Sequence, residues 1–179
     1  MNLYIMRHAD AGVSRENPVL DAKRGLVKEG KQQCMLMAGV LASVRAQIDV
    51  IVSSPLKRAR QTAQFVATEL GFEQPILISE ALSPEADFAA FQQLIHQHER
   101  REGILVVGHN PTIHQFTARL VSGNGVPAGG GAIRLRKGSI ARIDLARRPV
   151  QLQWLIDPRL ARWIQASVTK SSRPKTSRK

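Results

Sequence analysis

Apolar and polar positions along this chain alternate between two periods. Short apolar runs at Leu3 to Met6, Asp49 to Val52, Pro75 to Ile78 and Ile104 to Val107 read as buried strands. Between them lie longer stretches of helical period. A helix from about Lys28 to Arg45 gathers Cys34, Met37, Ala38, Leu41 and Val44 on one face. Ser53-Ser54-Pro55 has the form of a serine cap with proline at the first helical position, and opens a helix to Leu70 that Gly71 closes. After a turn at Ser83-Pro84, a helix over Ala86 to Glu99 turns Phe88, Phe91, Leu94 and Ile95 inward. Asn110-Pro111 repeats the cap-plus-proline opening, for a helix to about Val121. Past Gly129-Gly130-Gly131 the pattern changes to alternating strands over Ala132 to Arg136, Ser139 to Leu145 and Gln151 to Ile156. A short helix from Arg159 to Gln165 follows. Four β-α units followed by strands predict a three-layer α/β/α sandwich around a mostly parallel central sheet.

The 179 residues suit one domain, assigned to residues 1–166, with a basic and disordered tail over 167–179. No apolar run approaches the ~18 residues needed to cross a membrane. The first strand begins too early to leave room for a signal segment, so the expected location is the cytoplasm, with no membrane partner. Cys34 is the single cysteine and sits on an apolar helical stripe, which marks it as a small buried hydrophobe. The net charge of +12 is uneven: +1 up to Ile133 and +11 from Arg134 onward. The expected role of that tail is solubility, with weak polyanion attraction as the sharper alternative.

Chemistry concentrates where strands end. Arg7-His8 follows the first strand and His109 the fourth, and ligands of open α/β sheets gather at such ends. Arg58 lies in the first turn of the helix after Pro55, where free N–H groups and the helix dipole favour an anion. A lone arginine on a Lys57-Arg58-Arg60 face is ordinarily a solvated residue, and a lone histidine ordinarily a packing or surface one. The latter is the expectation for His96, His98 and His114, which fall within helices. Histidines beside arginines at strand ends point instead to phosphoryl transfer: imidazole attacks phosphorus while guanidinium groups offset charge on the phosphate oxygens. No His-x-x-x-His pair or cysteine cluster supports a metal.

Four stretches carry a resemblance: Ile5 to Ala11, Arg24 to Gly30, Ser53 to Thr62 and Val107 to Pro111. In this order and spacing the chain resembles the histidine phosphatase superfamily, of phosphoglycerate mutase-like fold, and within it the SixA-type phosphohistidine phosphatases. The resemblance covers roughly Met1 to Ile156. It implies a cofactor-independent enzyme with His8 as phosphorylated nucleophile and Arg7, Arg58 and His109 around the phosphate. It further implies Arg24 as a phosphate contact, in a segment whose family proline and threonine are here Gly25 and Val27, and it places Asn110 beside the pocket. Larger members use an acid after the third strand, and Glu80 is the nearest match; Asp10 is the other candidate, as acid or as orienter of an arginine.

Two considerations bear on substrate. An alkoxide leaving group needs a proton from a general acid, whereas imidazole leaving from phosphohistidine departs neutral after protonation on its own ring. The connections are short, so the site is expected to be open enough for a phosphohistidine carried on another protein, such as a signalling or phosphotransfer protein. A small phosphate ester as substrate, or a phosphate-binding module without turnover, are the competing readings.

Overall fold

The structure, a computed structural model, describes residues 1–122 and 133–171. Its centre is a six-stranded sheet in the order β3-β2-β4-β1-β5-β6. The strands are β1 (Asn2–Arg7), β2 (Val50–Ser53), β3 (Leu77–Ile78), β4 (Gly103–Gly108), β5 (Ile140–Asp144) and β6 (Gln151–Ile156). The first four run parallel, while β5 is antiparallel to β1 and β6 to β5. Strand alternation splits the core in two. Tyr4, Met6, Ile51, Leu105 and Val107 face one way, onto α2 (Lys28–Ser43) and α3 (Lys57–Leu70). Leu3, Ile5, Val52, Ile104 and Val106 face the other, onto α4 (Phe88–Gln97) and α5 (Thr112–Ser122). The fold is the expected three-layer sandwich.

This topology fixes where a ligand can sit. Strands β1 and β4 are neighbours, in register from Asn2 with Gly103 to Arg7 with Gly108. The helix after β1 covers one face and the helix after β4 the other. A crevice therefore opens beyond their carboxyl ends. Arg7-His8 and His109 stand at its two sides.

Several local expectations change. Helix α3 starts at Lys57, with Leu56 at its cap position and no side-chain cap, so Ser53 ends β2 and Ser54-Pro55 is a connection before the helix. Ile133 to Arg136, expected as strand, is irregular, and the remainder of that run and Gly129 to Gly131 lie outside the described residues. A short helix, α1 (Pro18–Ala22), interrupts the loop over Ala11 to Gly25; Asn17 caps it through bonds to the N–H groups of Val19 and Leu20. The last helix, α6 (Pro158–Ser171), runs past Gln165, and residues 172–179 of the expected tail lie outside the described residues. Gly71 closes α3 in the left-handed region, at φ 66°, as expected. Cys34 is fully buried, and burial pushes its thiol up to about 12, an inert packing residue.

The loop after β1 is pinned from both flanking helices. Ala9 N–H donates to Thr62 Oγ1 on α3 and Asp10 N–H to Gln33 Oε1 on α2, both at 3.0 Å. The Asp10 carbonyl accepts from Val27 N–H and lies against the backbone of Gly30, where an added Cβ would stand 2.0 Å from that oxygen. Alanine within a helix is ordinarily better than glycine by about 1 kcal/mol. Here the clash is with backbone that cannot swing aside. Gly30→Ala is expected to destabilise the fold by about 3 kcal/mol and to lower activity through the displaced loop, read by urea unfolding and steady-state kinetics. A more stable Gly30→Ala protein would contradict this packing.

Candidate active site

His8 and His109 meet at the crevice with ring centroids 5.0 Å apart, both buried. His8 N–H donates to Gly108 O across the register, which fixes the backbone from which the ring projects. His8 Nδ1 lies 2.8 Å from Ala9 O. A carbonyl only accepts, so Nδ1 carries the ring proton and Nε2 holds the lone pair. On His109, Nε2 lies 2.8 Å from Ser54 Oγ, while Nδ1 is buried without a partner among the described residues. With the Ser54 hydroxyl donating to Nε2, the ring proton of His109 sits on that unpaired Nδ1.

Two arginines complete the pocket in the same manner. Arg7 donates from Nη1 to Leu135 O at 3.0 Å, and Arg58 from Nη1 to Asp21 O at 3.1 Å. In each, the Nε–H is buried and has no acceptor among the described residues. One terminal nitrogen thus anchors each guanidinium and its Nε–H remains available, half of the fork that matches two oxygens of a phosphate. Buried donors without partners among the described residues, on two arginines whose charge reaches His8 and on the ring beside it, suit a bound anion.

Asp21, on α1, lies behind this pair. Its carboxylate meets Arg24 Nε at 2.9 Å and Arg58 Nη1 at 3.3 Å, and the hydrogen bond from Arg24 leads in holding it down at about 2. Arg24 also donates from Nη1 to the carbonyls of Ala11 and Gly12. Most of its donors are therefore engaged inside the protein, and it reaches the histidines chiefly through its charge. Asn110 Nδ2 donates to Leu135 O, the carbonyl that also holds Arg7, so Leu135 ties one wall of the pocket to both. Asp10 pairs with Lys137, 2.6 Å from its Nζ; burial raises its carboxyl, but Lys137 and the Gly12 N–H outweigh this and leave it lowered. Glu80 is exposed at a 3₁₀ turn (Glu80–Leu82), with its carboxylate accepting from Ser83 Oγ at 2.6 Å. The structure brings Arg7, His8, Arg58 and His109 together, with Arg24 and Asn110 braced beside them, and leaves Glu80 exposed and bonded to Ser83.

Sequence reasoning missed Asp21, Ser54, Thr62 and Lys137. Asn17-Pro18 carried the same cap-and-proline signal as Asn110-Pro111 and would have placed a helix at Asp21. Ser54 was read as a cap, and nothing in one sequence pairs it with His109.

Burial and the surrounding arginines set the charge state. Desolvation, then Arg58, Arg7 and Arg24, hold His8 at about 3 against the opposing Ala9 carbonyl. Desolvation, His8 and the same arginines hold His109 at about 2. Both rings are neutral at pH 7. In the unfolded chain each titrates near 6.5, so the unfolded state binds more protons below that value and stability falls as pH drops. Between pH 7 and 5 the two together are expected to remove about 4 kcal/mol of stability in phosphate-free buffer. Urea unfolding at the two pH values checks this, with a His8→Gln, His109→Gln double variant losing most of the difference.

The sequence matches the family model of the histidine phosphatase superfamily (branch 1) over residues 3–95. The phosphohistidine phosphatase SixA of Escherichia coli K12 is 29% identical over 130 residues, 71% of this chain and 78% of that protein. An uncharacterised protein of Picosynechococcus is 30% identical over 126 residues, 69% of this chain and 74% of its own length. A solved protein histidine phosphatase SixA, complexed with tungstate, superposes with a TM-score of 0.76 at 25% identity, over 88% of this chain and 97% of that one. An α-ribazole phosphatase from Shigella flexneri shares the fold, with a TM-score of 0.70 at 18% identity, over 88% of this chain and 97% of that one. The chain belongs to the histidine phosphatase superfamily and is a phosphatase of its SixA type.

Proposed function

We propose that this phosphatase hydrolyses phosphohistidine on a partner protein through a phosphorylated His8. The observation that carries the reading is the His8 ring: neutral, its Nδ1–H fixed on Ala9 O so that Nε2 holds the lone pair, and buried beside His109 and within reach of the charge of Arg7 and Arg58. Arg7 and Arg58 take the phosphoryl oxygens through Nε–H and His109 through Nδ1–H. His8 Nε2 attacks phosphorus and forms an N–P bond as the P–N bond to the substrate imidazole breaks; the departing nitrogen keeps that electron pair, and the ring leaves neutral because it enters the step protonated. Water then attacks the phosphorus of phospho-His8, releasing inorganic phosphate and a proton and restoring the free ring. Charge neutralisation and positioning supply most of the acceleration.

Support for the nitrogen leaving group comes from the carboxylates. Asp10 and Asp21 are held ionised by their cationic partners, and Glu80 is turned to Ser83. A site without a poised acid among the described residues suits a leaving group that is protonated on its own ring. The name of the SixA relative agrees. Steady-state kinetics on phosphohistidine protein, free phosphohistidine and common phosphate esters test this. The expected result is a kcat/KM for the phosphoramidates at least about 10²-fold above the esters, the scale of a missing general acid. Faster turnover of a sugar phosphate or nucleotide would establish a small-molecule phosphomonoesterase instead.

A further inference from the structure

One charged feature remains outside the reacting centre. A trough of about 280 Å³ shares Arg7 with that centre and is otherwise lined chiefly by Asp10, Arg134, Arg136, Lys137, Asp157 and Arg159. At about 30 Å³ of liquid volume per water, it holds an anionic group together with its hydration. Five of its side chains are cationic and two anionic. Both anions are occupied: Asp10 by Lys137 at 2.6 Å and Asp157 by Arg136 at 3.4 Å. The side chains of Arg134 and Arg159 are exposed and have no hydrogen-bond or ion-pair partner among the described residues. Two uncompensated cations therefore face an open trough whose inner wall is Arg7.

The wall itself is rigidly tied. Leu135, between Arg134 and Arg136, is fully buried, and its carbonyl accepts from Arg7 and from Asn110. Lys137 bridges the wall to the loop after β1, reaching Asp10 and, at 3.5 Å, the carbonyl of Gly12. Arg134 is close enough for its charge to be felt at Arg7. Arg7 thus lines the trough and also acts by its charge on His8.

We propose that this trough is a second anion subsite, which takes a carboxylate or phosphate carried by the substrate beside its transferable phosphoryl group. The inference rests on His8 as the reacting centre. It selects phosphoproteins that present acidic side chains next to the phosphohistidine over those with neutral or basic surroundings. Arg134 and Arg159 set this preference without touching the reacting atoms.

The test compares kcat/KM for two phosphohistidine peptides, one flanked by aspartate and glutamate and one by serine and glycine. Each is measured on the wild type, on an Arg134→Ser, Arg159→Ser double variant and on the corresponding Arg→Lys double variant. The expected wild-type preference for the acidic peptide is about 5- to 20-fold at low salt, the scale of two partly exposed ion pairs. It shrinks as salt is raised. The serine variant loses the preference through KM while its turnover of the neutral peptide is unchanged, and the lysine variant keeps it. Equal turnover of the two peptides by the wild type, or a preference that survives in the serine variant, overturns the subsite. If neither peptide is a substrate while phosphate esters are, the phosphohistidine reading fails separately, and the same variants compared on mono- and bisphosphate esters then decide the subsite.

Discussion

Replacing His8 with alanine is expected to lower kcat by about 10⁴-fold or more while leaving the fold intact, as befits removal of a covalent nucleophile. Three features make the effect this large. The lone pair on Nε2 is fixed by the bond from Nδ1–H to Ala9 O, so no reorientation is needed before attack. The ring is neutral at pH 7, so the nucleophile is fully available. His109 does not substitute, because its Nε2 is engaged with Ser54 Oγ and its ring faces the pocket with the unpaired Nδ1. The loss of stability between pH 7 and 5 should be about half as large, since His8→Ala removes one of the two buried rings that oppose protonation. Steady-state kinetics with urea unfolding at pH 7 separates loss of chemistry from loss of fold.

Arg58→Ala is expected to cost about 10³-fold in kcat/KM, with part of the loss in kcat, because its contacts strengthen as charge develops on the phosphoryl oxygens. Lysine should recover little. The guanidinium is anchored by Nη1 on Asp21 O and Oδ2 while its buried Nε–H has no partner among the described residues, a division of labour that a single ammonium cannot reproduce. Removing Arg58 also strands Asp21 with Arg24 as its remaining side-chain cation. Asp21→Asn distinguishes the two roles: the amide keeps the backbone carbonyl that holds Arg58 but loses the charge, so a loss far smaller than that of Arg58→Ala is expected in the same assay.

How much of this was legible in the sequence depends on whether a signal was local. Strands β1 and β4 announce themselves as apolar runs ending in Arg7-His8 and Gly108-His109, and their burial on both faces explains why the runs are continuous. Once the helices between them are recognised, the convergence of those two ends follows from topology. Ile133-Arg134-Leu135-Arg136 alternates like a strand and is not one. Its period arises because Leu135 packs inward while the flanking arginines face out, and its backbone carbonyl is engaged by Arg7 and Asn110 instead of a neighbouring strand. Serine before proline reads as a helix cap from composition alone, yet Ser54 serves His109, 55 residues away. Asp21 pairs with Arg58 across 37 residues, a contact that no period encodes. Glu80 matched by position after the third strand, but the turn that follows directs its carboxylate to Ser83.

Phosphoryl transfer through His8 is the centre of this account, and its most direct measurement is a trapped intermediate. The enzyme is mixed briefly with radiolabelled phosphohistidine protein, quenched in base and separated from substrate. The expected result is label on the chain that is stable in base, lost in acid and located on His8, and absent from His8→Ala. An unlabelled wild-type chain during active turnover, or label retained by His8→Ala, would contradict it.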